Sequence, residues 1–284
     1  MVDLLPQGLR DALGENALFW LAYLTNGKHL AWYASVQQTL AAALIGALVA
    51  MVLGLLTALM LRGGPWPARV LAHGYVGLIR GVPDVLFFLF FPLAFEQGVE
   101  WVASFSACSP QSIAAMATAW PPCDAANWHL SPAEYLILAG LSLGIIYGAF
   151  AGSVIAGALD AVPQGQLEAA RALGMSRAQI LFRIHIRQMW LYALPGLANC
   201  WMSLIKATSL LSLLQILDIV ALAQRLGAAN FSSAAGVIHG DWRWQYYAVL
   251  LLFYLALTFV SEKIFTALTR SASRGMIALG VHPV

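Results

Sequence analysis

Few side chains in this sequence are suited to catalysis or metal binding. Among its six histidines, those that an enzyme could use are His73, His129, His185 and His239. No two of these histidines combine the spacing of zinc ligands with a nearby cysteine or acid. None of the lysines lies in the pattern G-x-x-x-x-G-K-[ST] that binds nucleotide phosphates. We therefore expect no metal site and no hydrolysis of ATP by this chain itself.

One charged stretch, QLEAARALGMSRAQILFRIH at 166–185, stands out in a sequence that is 61% hydrophobic and 10% charged. Pro163 suits the first turn of a helix, and Gly174 can take the left-handed conformation that ends one. The residues from Ser176 onward, S-R-A-Q, have the form of a capping box. The pattern predicts a helix over about 163–173, a turn at Gly174 and a second helix after Ser176. On the residues alone, the segment is either such a helix pair or a simple loop.

Long apolar segments must position this charged stretch. The mean hydropathy is +0.76, and a helix needs about 20 predominantly apolar residues to cross a bilayer. The apolar runs are continuous and do not alternate, which excludes a β-barrel. We expect an all-α membrane protein with five transmembrane helices, at about 32–61, 70–95, 135–159, 193–217 and 244–266.

The basic residues predict the orientation, because short cytoplasmic loops carry an excess of lysine and arginine. If the N-terminus lies outside, the inner segments hold Arg62, Arg69, Arg80, Arg171, Arg177, Arg183, Arg187, Lys263, Arg270 and Arg274. The outer segments then hold only Arg10, Lys28, Arg225 and Arg243. Lys206 lies within a span and is not counted. This distribution predicts an N-out, C-in topology with segment 160–190 in the cytoplasm.

The spans imply a simple domain organisation. We expect an N-terminal segment on the outer side, one membrane domain and an inner tail, at 1–30, 31–270 and 271–284. Residues 3–24 fit either an interfacial helix or a short disordered tail. Because no basic region comes before an apolar core, we expect no cleavable signal peptide.

The three cysteines fall in two environments. Cys200 lies in a span, where we expect it to be a small buried apolar residue. Cys108 and Cys123 lie in the longest connection, 96–134, which the topology places outside. In an oxidising compartment they are either joined in a disulfide or remain two free thiols.

The charged stretch and its surroundings resemble a known family. The run E-A-A-R-A-L-G, followed by Ile184, resembles the EAA loop in membrane subunits of ABC importers. Further similar stretches are IRGVPDVLFFLFF at 79–91, YGAFAGSVIAGALDAVPQGQLEAARALG at 147–174 and YALPGLANCWMSLIKATSLLSLLQILDIV at 192–220. Over about 32–270 the chain is similar to the polar amino acid uptake family, most of all to the Q-type subunits of histidine and arginine/ornithine importers.

The sequence departs from that family at three places. The EAA pattern usually ends in Ile-x-x-Pro, and Arg187 stands in place of this proline. Many relatives have an E-x-x-R-G run in the third span, of which only Gly157 remains beside Ser153 and Ala156. This change weakens the case for a carboxylate here that holds a cationic solute. The N-terminal segment, about 30 residues, is also longer than is usual for Q-type subunits.

The resemblance implies the type I ABC importer permease fold, in the inner membrane of a bacterium. Such a chain pairs with a second permease subunit, binds two cytoplasmic ATPases and receives its solute from a periplasmic binding protein. ATP and magnesium would be bound by the ATPases, and this chain would hold no cofactor. The EAA helix would be the coupling helix, with contacts expected at Glu168, Ala169, Ala170, Arg171, Gly174 and Arg177.

Polar residues inside a membrane are candidates for functional roles. We expect those along the solute pathway to be Asn199, Ser203, Lys206, Ser153 and Asp84. Asn199 and Ser203 fit hydrogen bonds between helices equally well, and Ser153 fits a packing contact better than a ligand. Arg80 and Asp84 are four residues apart and would pair on one helix face, although Pro83 suggests a break. We assign Arg80 a gating or structural role, and Asp218 is either an outer-gate residue or an exposed helix cap.

The sequence leaves the solute open. The resemblance favours basic amino acids such as arginine, ornithine, histidine, lysine or their derivatives. The alternative is the same architecture with neutral or acidic amino acids, opines or another small polar solute. A membrane enzyme or a secondary transporter would leave the EAA stretch without a partner. The Q-type resemblance favours a heterodimer of permease subunits over a homodimer.

Overall fold

The computed structural model describes residues 7–114, 120–128, 130–229 and 239–277, and side chains between 14 and 273 within these ranges. Every regular element in this part of the chain is helical. The α-helices are α1 Gln7–Leu24, α2 Gly27–Ala34, α3 Val36–Gly63, α4 Trp66–Gly81, α5 Asp84–Ala107, α6 Pro110–Ala114, α7 Pro132–Asp160, α8 Gln164–Ala172, α9 Arg177–Ile180, α10 Ile186–Ala207, α11 Ile219–Gly227 and α12 Arg243–Ile277. A π turn, Leu181–His185, joins α9 to α10, and 3₁₀ segments cover Asp124–Ala126 and Thr208–Leu214.

Within the described residues, five helical segments are long and apolar enough to cross a membrane, which is the number that the sequence predicts. They are Gly27–Gly63, Asp84–Ala107, Pro132–Asp160, Arg177–Leu214 and Arg243–Ser273. An all-helical membrane protein with five candidate spans is therefore confirmed.

The second span differs from the predicted range of 70–95. Helix α4 ends at Gly81 and α5 begins at Asp84, with Val82 extended between them at φ −105° and ψ 135°. The cause is Pro83, which has no N–H and disfavours helical geometry in the residue before it. The candidate span is therefore α5, and the connection predicted to begin at 96 begins only after Ala107.

Two compact units make up the structure, and the larger one comprises 42–207 and 260–284. Helix α7 lies at its centre and carries a row of buried glycines, Gly140, Gly144, Gly148 and Gly152. A Cβ atom on Gly152 would lie 2.8 Å from the side chain of Thr57 on α3. Small residues at this spacing allow two helix backbones to approach closely, which is how helices pack inside a bilayer.

The smaller unit comprises 1–41 and 208–259. Its core includes Trp32, Ile219 and Tyr246, and the Trp32 indole donates a 2.9 Å hydrogen bond to the Ile219 carbonyl. His29 is buried, with its Nε2 atom 2.8 Å from the Tyr246 hydroxyl. The N-terminal segment forms α1 in place of the alternative disordered tail, with non-helical geometry at Gly14. Its location at the outer membrane interface remains a prediction.

Candidate functional site: the charged helix pair and the polar residues of the spans

The charged stretch forms the predicted helix pair. Helix α8 ends in a turn at Gly174, whose φ of +75° is a left-handed conformation that a Cβ atom disfavours. The Gly174 N–H donates to the Arg171 carbonyl at 2.9 Å, and the Met175 N–H donates to the Ala170 carbonyl at 3.2 Å. These two hydrogen bonds are the Schellman arrangement that satisfies the last carbonyls of a helix. Pro163 lies one residue before the helix, at its N-cap.

The second helix starts as its sequence predicts. Ser176 is the N-cap of α9, and its hydroxyl accepts a hydrogen bond from the Gln179 N–H at 3.3 Å. The Gln179 side chain accepts in return from the Ser176 N–H at 2.9 Å. This capping box fixes where the second helix begins and therefore the direction in which the pair turns.

One face of the pair packs on its own chain. Leu167, Ala170 and Ile180 are buried in a core that also contains Leu159 of α7 and Met189 of α10. Ala170, predicted to contact the ATPase, has only 2% of its surface exposed. Because it faces the core of this chain, it cannot reach a subunit docked on the other face.

The opposite face of the pair is exposed. It carries five of the predicted contact residues, namely Glu168, Ala169, Arg171, Gly174 and Arg177. It also carries Leu173, which is 82% exposed at the end of α8. Leu173 was not among the predicted contact residues, although a large apolar residue directly before the turn glycine could have indicated it.

Polar side chains link α8 to α10 and α7 to α3. The Gln188 amide of α10 donates a hydrogen bond to the Gln166 side chain of α8. Arg62, in the last turn of α3, forms an ion pair with Asp160 at the end of α7, directly before the helix pair.

Arg80 and Asp84 are separated by the helix break. Arg80 lies in the last turn of α4, whereas Asp84 is the first residue of α5. The described residues show no ion pair between Arg80 and Asp84, so the predicted pairing is not seen. The Arg80 guanidinium lies 5.3 Å from the centroid of the Phe150 ring, a cation–π distance.

Helix α10 brings three predicted pathway residues to one face. Asn199, Ser203 and Lys206 follow the spacing i, i+4, i+7, which places them along one side of a helix. Asn199 and Lys206 are exposed, and Ser203 is half-buried. Ser153 is different, because its hydroxyl donates to the Ala149 carbonyl of its own helix at 3.1 Å. Such a back-bond suits the packing role that the sequence favoured.

Asp218 is a helix cap, but a buried one. Its side chain accepts a 2.9 Å hydrogen bond from the Ala221 N–H at the start of α11. None of its surface is exposed, which corrects the predicted alternative of an exposed cap. Burial raises the pKa of the Asp218 carboxyl to about 6.

Cys108 and Cys123 are joined by a disulfide, with their Cα atoms 5.8 Å apart. The loop closed by this bond is also held by Glu100 of α5, which is buried. The Glu100 carboxylate accepts hydrogen bonds from the Trp120 indole at 2.7 Å and the Trp128 N–H at 3.0 Å. Sequence reasoning missed Glu100, because its partners lie 20 and 28 residues further along the chain.

The residues considered for metal binding or catalysis do not converge. No group of three or more histidine, cysteine or acidic residues that could hold a metal occurs in the ranges that the structure describes. His73 is exposed on α4, and His239 stacks on Trp242 with ring centroids 4.3 Å apart. His129 lies outside the described residues. Cys200 is free and half-buried on α10, whereas the sequence predicted full burial.

The capped, exposed helix pair follows the third candidate span, and its second helix, α9, begins the helical segment that contains the fourth. The family of binding-protein-dependent transport system inner membrane components matches residues 50–274. The chain belongs to this family.

Known proteins agree with this assignment. The arginine ABC transporter permease protein ArtQ of Escherichia coli is 30% identical over 239 residues, covering 80% of this chain and 90% of its own length. The histidine/lysine/arginine/ornithine transport system permease protein HisQ of Escherichia coli is 31% identical over 243 residues, covering 84% and 91%. A crystal structure of an amino acid ABC transporter with histidines shares the fold, with a TM-score of 0.61 at 20% identity over 85% of this chain and 94% of that one.

Proposed function

We propose that this chain is a permease subunit of an ATP-driven importer for basic amino acids or their derivatives, in the inner membrane of a bacterium. The observation that carries the proposal is the exposed helix pair after the third candidate span, with α9 at the start of the fourth, in a chain of this family. Its relatives are named for arginine and for histidine, lysine, arginine and ornithine. These names support basic amino acids over neutral or acidic ones.

The proposed orientation is N-out and C-in. Ten basic residues then lie on the inner side and four on the outer side. The disulfide between Cys108 and Cys123 supports the same orientation, since such bonds persist in an oxidising compartment. The helix pair then lies in the cytoplasm, where a soluble ATPase is available.

We assign the helix pair to ATPase docking. The contacts proposed are those on its exposed face, Glu168, Ala169, Arg171, Leu173, Gly174 and Arg177. The glutamate and arginines fit a partner surface of mixed charge, while Leu173 fits an apolar pocket in it. Two separate ATPase subunits would bind ATP and magnesium, and this chain would convert their movement into rearrangement of the spans.

On the membrane side, the chain would pair with a second, different permease subunit and receive solute from a periplasmic binding protein. The exposed face of α10 with Asn199, Ser203 and Lys206 is the proposed lining of the solute pathway, and Asp84 and Ser153 are weaker candidates. Arg80, held over Phe150, and Asp218, which caps α11, are proposed as gating or structural residues. No carboxylate stands at Ser153, so the second subunit would supply the acid for a cationic solute.

Reconstitution tests the proposal directly. The chain is purified with the permease, ATPase and binding protein encoded beside it, and uptake of labelled arginine into liposomes is measured with and without ATP. We expect the ATPase to copurify with this chain and uptake to require ATP. Failure of the ATPase to copurify contradicts the transport role. Failure of the binding protein to bind arginine, ornithine, histidine and lysine contradicts the solute class alone.

A further inference from the structure

The last backbone carbonyls of α7 lack helical donors, as at the end of any α-helix, and the carbonyl of Leu159 is one of them. In an α-helix, the carbonyl of Leu159 accepts a hydrogen bond from the N–H four residues later. That residue is Pro163, which has no N–H. Leu159 is buried, so its carbonyl needs a partner from elsewhere in the chain.

His185 provides this partner. Its Nε2 atom lies 2.9 Å from the Leu159 carbonyl oxygen, across 26 residues of sequence. Because a carbonyl only accepts, the imidazole must donate through an N–H at Nε2. The hydrogen bond joins the end of α7, directly before the helix pair, to the segment directly after the pair.

A π turn brings His185 to this position. The Ile186 N–H donates to the Leu181 carbonyl, five residues earlier, where an α-helix would use four. The extra residue rotates the rest of the helix by about 100° relative to an uninterrupted α-helix. Within the turn, Phe182 and Arg183 are exposed, whereas His185 is half-buried and directed at α7. Single π turns in helices occur frequently at functional positions.

We propose that His185 is a positioning residue, which holds the helix pair rigidly to α7 so that movement of α8 reaches the membrane helices. This inference rests on the proposed role of the pair in ATPase coupling. The His185 bond closes a loop that contains all of α8 and α9, and the Gln166–Gln188 bond links α8 to α10 beside it. The apolar contacts of the shared core, which includes Leu159, Leu167 and Met189, are not directional, whereas this hydrogen bond fixes one donor on one acceptor.

Hydrogen exchange of the whole reconstituted complex tests the positioning role. In His185→Leu, we expect backbone amides of 164–180 to exchange roughly fivefold faster, as the loss of one buried hydrogen bond predicts. His185→Gln keeps a side-chain N–H of similar reach and should restore exchange towards the original rate. His73→Leu removes an exposed histidine on α4 and is the matched control, with no expected change.

ATPase activity, measured with and without the arginine-loaded binding protein, supplies the functional readout. In His185→Leu, the complex should lose most of the stimulation of ATPase activity by the loaded binding protein and keep its basal ATPase rate. In His185→Gln, the stimulation should be restored. Unchanged exchange in His185→Leu overturns the inference, as does an equal defect in the leucine and glutamine variants. If Gly174→Ala and Glu168→Ala both keep full stimulation, the coupling role itself fails. The exchange measurement still decides whether His185 holds the pair.

Discussion

A Cβ atom placed on Gly152 would lie 2.8 Å from the Cβ atom of Thr57, closer than real side chains approach. This relationship fixes how tightly α7 packs against α3 in the larger unit. Both residues are buried, so neither helix can yield by turning a side chain outward. The contact therefore predicts strong sensitivity to a single methyl group.

We predict that Gly152→Ala destabilises the protein by about 1–3 kcal/mol, the usual cost of an extra group in a packed core. Thermal unfolding in detergent measures the effect. Gly157→Ala on the same helix is the matched control, because a Cβ atom there has no neighbour within 4 Å. A glycine-to-alanine change in a helix is otherwise neutral or stabilising. If Gly152→Ala and the original protein have the same thermal unfolding midpoint, the close packing of α7 against α3 is contradicted.

The turn at Gly174 gives a second prediction. Gly174→Ala places a Cβ atom in a left-handed conformation, at a cost of about 1–2 kcal/mol. We expect the helix pair to shift and stimulation of the ATPase by the loaded binding protein to fall several-fold. Gly165→Ala in α8 is the control, since its φ is helical and a Cβ atom there meets nothing within 4 Å. Stimulation that is equal in both variants would show that the turn geometry is unimportant.

Local signals explain why much of this site could be predicted. Gly174 and the capping box at Ser176 act within four residues of chain, so their sequence pattern determines their structure. Continuous apolar runs likewise predicted the number of spans. The second span was predicted to run from 70 to 95, across the helix break at Pro83, because the apolar run continues there although the helix does not.

Contacts distant in sequence explain what could not be predicted. The hydrogen bonds of Glu100 and His185 join residues that lie 20 and 26 positions apart, and no local pattern marks them. Helical spacing places Ala170 on the same face as Leu167, and the packing of α8 shows that this face meets the core. The π turn at Leu181–His185 is not predicted, because this stretch contains no glycine or proline and indicates an ordinary helix.

Asp218 predicts a pH dependence of stability. Burial raises the pKa of this carboxyl from its ordinary 3.8 to about 6 in the folded protein. The folded state therefore binds a proton more tightly than the unfolded state, and the resulting stability is fully present below pH 3.8 and lost as the pH rises through about 6. The difference corresponds to about 3 kcal/mol.

Asp218→Asn separates this effect from helix capping, because asparagine is also a good N-cap. We expect the variant to be more stable than the original protein at pH 7. It should also not show the decline in stability that the original protein shows between about pH 4 and 6. Thermal midpoints across this pH range measure both effects. Asp218→Ala removes the cap as well and should unfold at a lower temperature than the asparagine variant at every pH. If Asp218→Asn keeps the original dependence of the thermal midpoint on pH, the titrating group is not Asp218.

The disulfide gives the last prediction, which tests stability and topology together. Breaking the Cys108–Cys123 bond should cost about 3 kcal/mol, because it closes a loop of 15 residues. Reduction, or the double change Cys108→Ser and Cys123→Ser, should lower the thermal midpoint to the same value. In intact cells treated with a reductant, a membrane-impermeant maleimide should then label both cysteines, since the proposed orientation places them outside. Cys200, half-buried on α10, should remain unlabelled and serves as the internal control. Labelling that requires disruption of the inner membrane would reverse the orientation and remove the helix pair from the cytoplasm.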